Sequence, residues 1–301
     1  MNTHAASPST GRSPGRFAAR IAAWPFLLAA LTSLAGLLLS YRFFVITTSG
    51  QFIDESALVE AAGARNRIGV QTAQVLDALP VTSVVIAAVV ILFVTVARRR
   101  WKAAGIALLA MAAANLSTQL IKAGLPDRPD VGVNTLALNS LPSGHSTLAA
   151  SAAAAVFLMV SPRWRPAAAF VGGSYAIAAG ISTLINQWHR PSDVLAAFFI
   201  VAFWTSLAAL VVMRSGSSWN VWLGSARHWA SRRWWPVLAL LLAALAGVAV
   251  AAIVGPSAAP NPDSTISYFL VGVGLILLAG YGLTLAGTLL LTLPVRRRSL
   301  R

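Results

Sequence analysis

Five side chains recur at spacings suited to phosphoryl transfer: Lys122, Arg128, His145, His189 and Asp193, with Ser143, Gly144, Ser182 and Arg190 beside them. An imidazole is a competent nucleophile toward phosphorus, and a second imidazole can protonate the departing oxygen. Cations, a hydroxyl and a glycine amide can hold the phosphoryl oxygens while charge spreads over them. His189 and Asp193 stand four apart, so on a helical turn the carboxylate reaches one ring nitrogen and leaves the other free to attack. Ser143-Gly144-His145 precedes an apolar run; at a helix start, free amides and the dipole favour an anion, and Gly144 lets the backbone come close to it.

Each residue alone also has a plain reading. Lys122 suits a lysine whose stem lies along the bilayer boundary, Arg128-Pro129 a loop before a turn, and His189 an interfacial histidine with a satisfied ring. The shared position argues for chemistry: all these residues fall at one end of neighbouring apolar segments. Asn115, Gln119 and Lys122 form a polar stripe on one helix face, which at membrane depth points to a bundle interior.

The elements that must hold these groups are membrane helices. The chain is 57% hydrophobic and 10% charged. It shows eight apolar runs, at about 24–44, 79–97, 103–121, 146–161, 167–187, 192–213, 236–255 and 266–293, near the length that spans a bilayer. In lipid such runs must be helical. The expected fold is all-α: a polytopic bundle of about eight transmembrane helices, with a six-helix core and a C-terminal hairpin. The expected domains are a disordered tail 1–20, a catalytic core 21–213, a basic loop 214–235, the hairpin 236–293 and a basic tail 294–301. The first run reads as a retained anchor rather than a cleaved signal.

The net charge of +15 suggests nucleic acid until its distribution is followed. Seventeen of the 23 Lys and Arg lie in tails and loops that alternation places on one side, while all eight acidic residues fall on the other. That asymmetry orients a membrane protein with both termini cytoplasmic, and no nucleic-acid partner is expected. Tryptophans 24, 101, 164, 188, 234 and 235 sit at predicted interfaces and are read as an aromatic belt. Cysteine is absent, so no disulfide or thiolate metal site can form. Segment 45–78 is the largest expected outer segment; its 53–73 stretch suits either an amphipathic surface helix or an ordinary loop. Segment 256–265 reads as a turn.

Taken together, Lys122-x5-Arg128-Pro129, Pro142-Ser143-Gly144-His145 and Ser182-Thr183-x5-His189-x3-Asp193 resemble the type 2 phosphatidic acid phosphatase superfamily, in its membrane lipid phosphatase branch. The family pattern is Lys-x6-Arg-Pro, Pro-Ser-Gly-His and Ser-Arg-x5-His-x3-Asp. This chain is one residue shorter in the first motif, and Thr183 stands where the third motif has arginine. The resemblance implies His189 as nucleophile, Asp193 orienting it and His145 as general acid. It implies Lys122, Arg128, Ser143, Gly144 and Ser182 around the phosphate, with Arg190 a candidate for the missing cation, and neither metal nor cofactor. The implied reaction is hydrolysis of a polyprenyl or glycerolipid phosphate or diphosphate through a phosphohistidine, at the extracytoplasmic face of the plasma membrane. The alternatives are a non-catalytic lipid-phosphate-binding relative, which Thr183 favours, a transporter, and haloperoxidase chemistry. The lipid and the oligomeric state are not legible.

Overall fold

The computed structural model describes residues 21–135, 138–215, 220–223, 228–254, 267–292 and 296–298. Among these are eight α-helices: α1 (Trp24–Phe44), α2 (Thr48–Arg98), α3 (Trp101–Gly124), α4 (Gly144–Met159), α5 (Arg165–Ile185), α6 (Pro191–Ser215), α7 (Trp234–Val254) and α8 (Ser267–Thr292). Seven are long and apolar enough to cross a membrane; α4 is a shorter apolar helix. The protein is thus a polytopic helical membrane protein, as its hydrophobic runs require. A 3-10 turn, Trp229–Ser231, and two three-residue strands, β1 (Val221–Leu223) and β2 (Arg296–Arg298), which pair in parallel, complete the described elements. The tail 1–20 and the turn 256–265 lie outside the described residues.

The chief departure from expectation is α2. Segment 45–78 is neither a loop nor a separate surface helix: 48–78 continues without a break into the span 79–97, making one helix of 51 residues. At a rise of 1.5 Å per residue it is about 75 Å long, well over twice the hydrocarbon thickness. Thr47 caps its start by accepting from the Gly50 amide, and Pro80 removes one backbone rung near where the N-terminal half meets the apolar span. Helical periodicity in 53–73 was visible because a helix is there; its charged residues hid that the helix is continuous.

The N-terminal half of α2 crosses the loops that lead into α4 and α6. Gln51 donates to the Val45 and Pro129 carbonyls, and the Leu58 carbonyl accepts from Gln187. Thr72 accepts from Asn186, and Glu60 accepts from the Phe269 amide at the start of α8. Helix α8 is no mere appendage: its Gly272 lies against Ala57, Pro191 and Leu184, and its Gly280 against Ile177 and Phe198. An added Cβ at Gly280 would approach Ile177 within 2.3 Å, so only glycine permits that contact. Helix α7 packs chiefly on α8.

Candidate active site

Two helix starts build the site. At α4, Ser143 is the N-cap and accepts from the Ser146 amide at 3.3 Å. That bond uses a lone pair of the hydroxyl and leaves its proton available, while the Gly144 and His145 amides in the first turn have no intrahelical acceptor. At α6, Pro191 opens the helix, which suits its fixed φ and missing N–H. Asp193, two residues on, reaches back to the Arg190 amide at 3.1 Å, as the third residue of a capping box does. This fold-back also explains how His189, which precedes the helix, meets Asp193: Nδ1 lies 3.1 Å from Oδ2. A third donor, the Ser140 hydroxyl, approaches the same Oδ2 at 2.6 Å. With Nδ1 against the carboxylate, Nε2 is the nitrogen left to react. The two helix starts are locked together by the Ser143 amide donating to the Asp193 carbonyl at 2.9 Å.

His145 is half-buried, its ring centroid 5.4 Å from that of Trp188, and it lies within electrostatic reach of His189, Lys122 and Asp77. Lys122, in the last turn of α3, is exposed. The polar stripe behind it packs on α4: Asn115 donates to the Ser151 hydroxyl, Thr118 bonds Thr147, and the Gln119 amide nitrogen is 3.9 Å from where a Cβ on Gly144 would stand. Ser182 is buried in the last turn of α5, with its carbonyl accepting from Asn186. Thr183, where the motif has arginine, is buried with its hydroxyl turned back on the Gly180 carbonyl.

The two arginines are committed to carboxylates of α2. Arg128, with a fully buried side chain, donates from Nη2 to Asp54 at 2.9 Å and stands 3.9 Å from Asp193 Oδ1. Arg190 donates to Glu55 at 2.8 Å through Nε and to Thr135 at 2.8 Å through Nη2. Arg190 therefore does not point to solvent, and its backbone and side chain tie Asp193, Glu55 and the loop before α4 into one cluster. Sequence reasoning missed Asp54, Glu55, Ser140 and Ser192. The available signal was an adjacent Asp-Glu pair ahead of an apolar run, in a chain with only eight acidic residues. Trp188 was read as belt and proves to be a neighbour of His145.

A separate apolar cavity of about 170 Å³ lies deeper in the bundle, among Ala154, Gly173, Ala202, Thr205 and Thr284. It has no titratable lining residue, unlike the polar cluster. No curated protein and no solved structure matches this chain. Residues 103–217, from α3 through α6 and including every motif residue from Lys122 to Asp193, match the model of the PAP2 superfamily, which supports the resemblance to the type 2 phosphatidic acid phosphatases.

Proposed function

We propose that the protein is a membrane lipid phosphatase that hydrolyses a phosphate monoester or diphosphate of a polyprenyl or glycerolipid through a phosphohistidine. The observation that carries this is the buried His189–Asp193 pair at 3.1 Å, with His145 in reach of the same space. In the proposed reaction Nε2 of His189 attacks phosphorus, the bond to the leaving oxygen breaks, and His145 protonates that oxygen. Water then attacks the phosphohistidine, His145 accepts its proton, and inorganic phosphate leaves. Lys122, the Ser143 hydroxyl and the Gly144 amide hold the phosphoryl oxygens. Arg128 and Arg190 join them by exchanging a carboxylate oxygen for a phosphate oxygen, with Ser182 at the edge of the cluster.

The one-sided distribution of Lys and Arg supports an active site on the extracytoplasmic face of the plasma membrane, with both termini cytoplasmic. A site at one end of a helical bundle suits a substrate whose tail stays in the bilayer while its phosphate enters. The test is phosphate release from phosphatidic acid, phosphatidylglycerol phosphate and prenyl phosphates by purified protein, with His189→Ala as control. Release that persists in the control refutes the nucleophile.

A second reading is favoured by specific observations. Thr183 removes one cation, and Asp54 and Glu55 neutralise two more. A relative that binds a lipid phosphate without cleaving it would show this depleted cradle. Saturable binding of these lipids with no release from any of them selects that reading.

A further inference from the structure

Asp54 comes from outside the segment that matches the superfamily, yet it is built into the site from a helix the motifs do not include. It is completely buried. Its Oδ2 accepts from Arg128 Nη2 at 2.9 Å and from the Ser192 hydroxyl at 2.6 Å, and its Oδ1 accepts from the Ser192 amide at 2.9 Å. Ser192 is the residue before Asp193. The same Nη2 is 3.9 Å from Asp193 Oδ1, a buried oxygen with no hydrogen-bond partner among the described residues. One guanidinium nitrogen is thus shared unequally between two carboxylates, bonded to Asp54 and held just short of Asp193.

We propose that Asp54 is a positioning residue for the nucleophile: by fixing Ser192 and retaining Arg128, it keeps Asp193 available to His189. This inference rests on the reading of His189 as the nucleophile. If the carboxylate charge of Asp54 is removed, Arg128 closes on Asp193 Oδ1 and forms a full ion pair. Asp193 then holds the developing imidazolium less strongly, and His189 becomes less basic. The sign is set by that movement of Arg128, because the other charged groups nearby stay constant: Glu55 and Asp77 on α2, Lys122 on α3, His145 on α4, and Arg190 and Asp193 at the start of α6. The nucleophile must be unprotonated to attack, so protonation of His189 contributes to the acid limb of the kcat/KM profile. Loss of a nearby negative charge moves that limb to lower pH.

The test is Asp54→Asn in full-length protein reconstituted in phospholipid vesicles, assayed on whichever lipid phosphate the wild type cleaves. The expected result is a fall in kcat of about tenfold, KM changed by less than about threefold, and an acid limb lower by about one pH unit. Unchanged kcat overturns the proposal, and so does a lower kcat with the limb unmoved, which is what a merely structural role gives. The His189 imidazole titration is followed in parallel by NMR of histidine-labelled protein, with the resonance assigned by His189→Gln. A lower midpoint in Asp54→Asn is expected even if the wild type turns over no lipid, and an unchanged midpoint overturns the proposal there. Failure of the phosphatase reading is thereby separated from failure of this one. Should Asp54→Asn not fold, Ser192→Ala, which removes one bond to Asp54 and leaves every charge in place, is expected to lose about threefold in kcat at constant KM. Full kcat in that variant overturns the proposal.

Discussion

Among the described residues, both ends of the bundle bury two arginines, and they do so differently. At the end that holds the histidines, Arg128 and Arg190 pair with Asp54 and Glu55. At the opposite end, Arg165 is completely buried and donates to the Leu291 carbonyl at 3.0 Å, the Asn220 side chain at 2.6 Å and the Met213 sulfur. Arg100 donates there to the Met159 carbonyl at 2.6 Å. Leu291 and Met159 lie in the last turns of α8 and α4, where carbonyls lack intrahelical donors and the helix dipole is negative. Asn220 extends the same pattern by donating to the Val212 and Met213 carbonyls of α6. One end uses arginine to finish helices. The other surrounds its arginines with carboxylates and hydroxyls, and one of those carboxylates, Asp193, also pairs with His189. A buried charge satisfied by main-chain carbonyls is a fastener, whereas one shared between carboxylates can change partners when an anion arrives.

That contrast can be broken or sharpened by substitution. His189→Ala has the largest expected effect: phosphate release falls at least about a thousandfold, roughly 4 kcal/mol of barrier, while membrane insertion is unchanged. Arg128→Ala comes next. It strands Asp54 as a buried charge, and breaking such a pair costs about 3–5 kcal/mol, to be read as a lowered thermal midpoint together with lost turnover. Arg165→Met at the opposite end should cost about 1–3 kcal/mol of stability through the unsatisfied Leu291 carbonyl and Asn220 side chain, with activity per folded molecule preserved. Reduced kcat in the fully folded Arg165→Met protein would break the comparison, because the fastener would then be coupled to the site. Smallest is Trp188→Phe, which keeps an aromatic face beside His145 and should alter kcat by no more than about threefold.

Much of the architecture was open to sequence reasoning because a bilayer leaves the backbone few options. Apolar runs of spanning length had to be helices, and their number and approximate ends emerge from hydropathy alone. The helix start at Gly144 was signalled by the Ser143-Gly144-His145 motif, whereas the part that Pro191 plays in opening α6 was not read. The 48–98 helix was obscured because its N-terminal half carries Asp54, Glu55, Glu60, Arg65 and Arg67, residues that in isolation read as solvated loop. Its amphipathic periodicity was present, but periodicity does not say what the polar face meets. The same limit hid Ser140 and Ser192, small hydroxyls whose importance lies wholly in their position beside Asp193 and Asp54. Arg190 was left open between pocket and solvent, since its direction depends on Glu55, 135 residues earlier in the chain.

By itself, then, the sequence determined the membrane-embedded helical class, the clustering of Lys122, His145, His189 and Asp193 toward one end, and the superfamily to which their spacing points. These follow from local properties, because hydropathy, capping residues and short motif spacings act within one or two helical turns. Tertiary structure alone decided that α2 lies across the site and that its carboxylates, rather than solvent, face Arg128 and Arg190. It also set how one guanidinium is divided between Asp54 and Asp193. Those outcomes depend on contacts between residues more than sixty positions apart, and at such separations packing, not periodicity, chooses the partner.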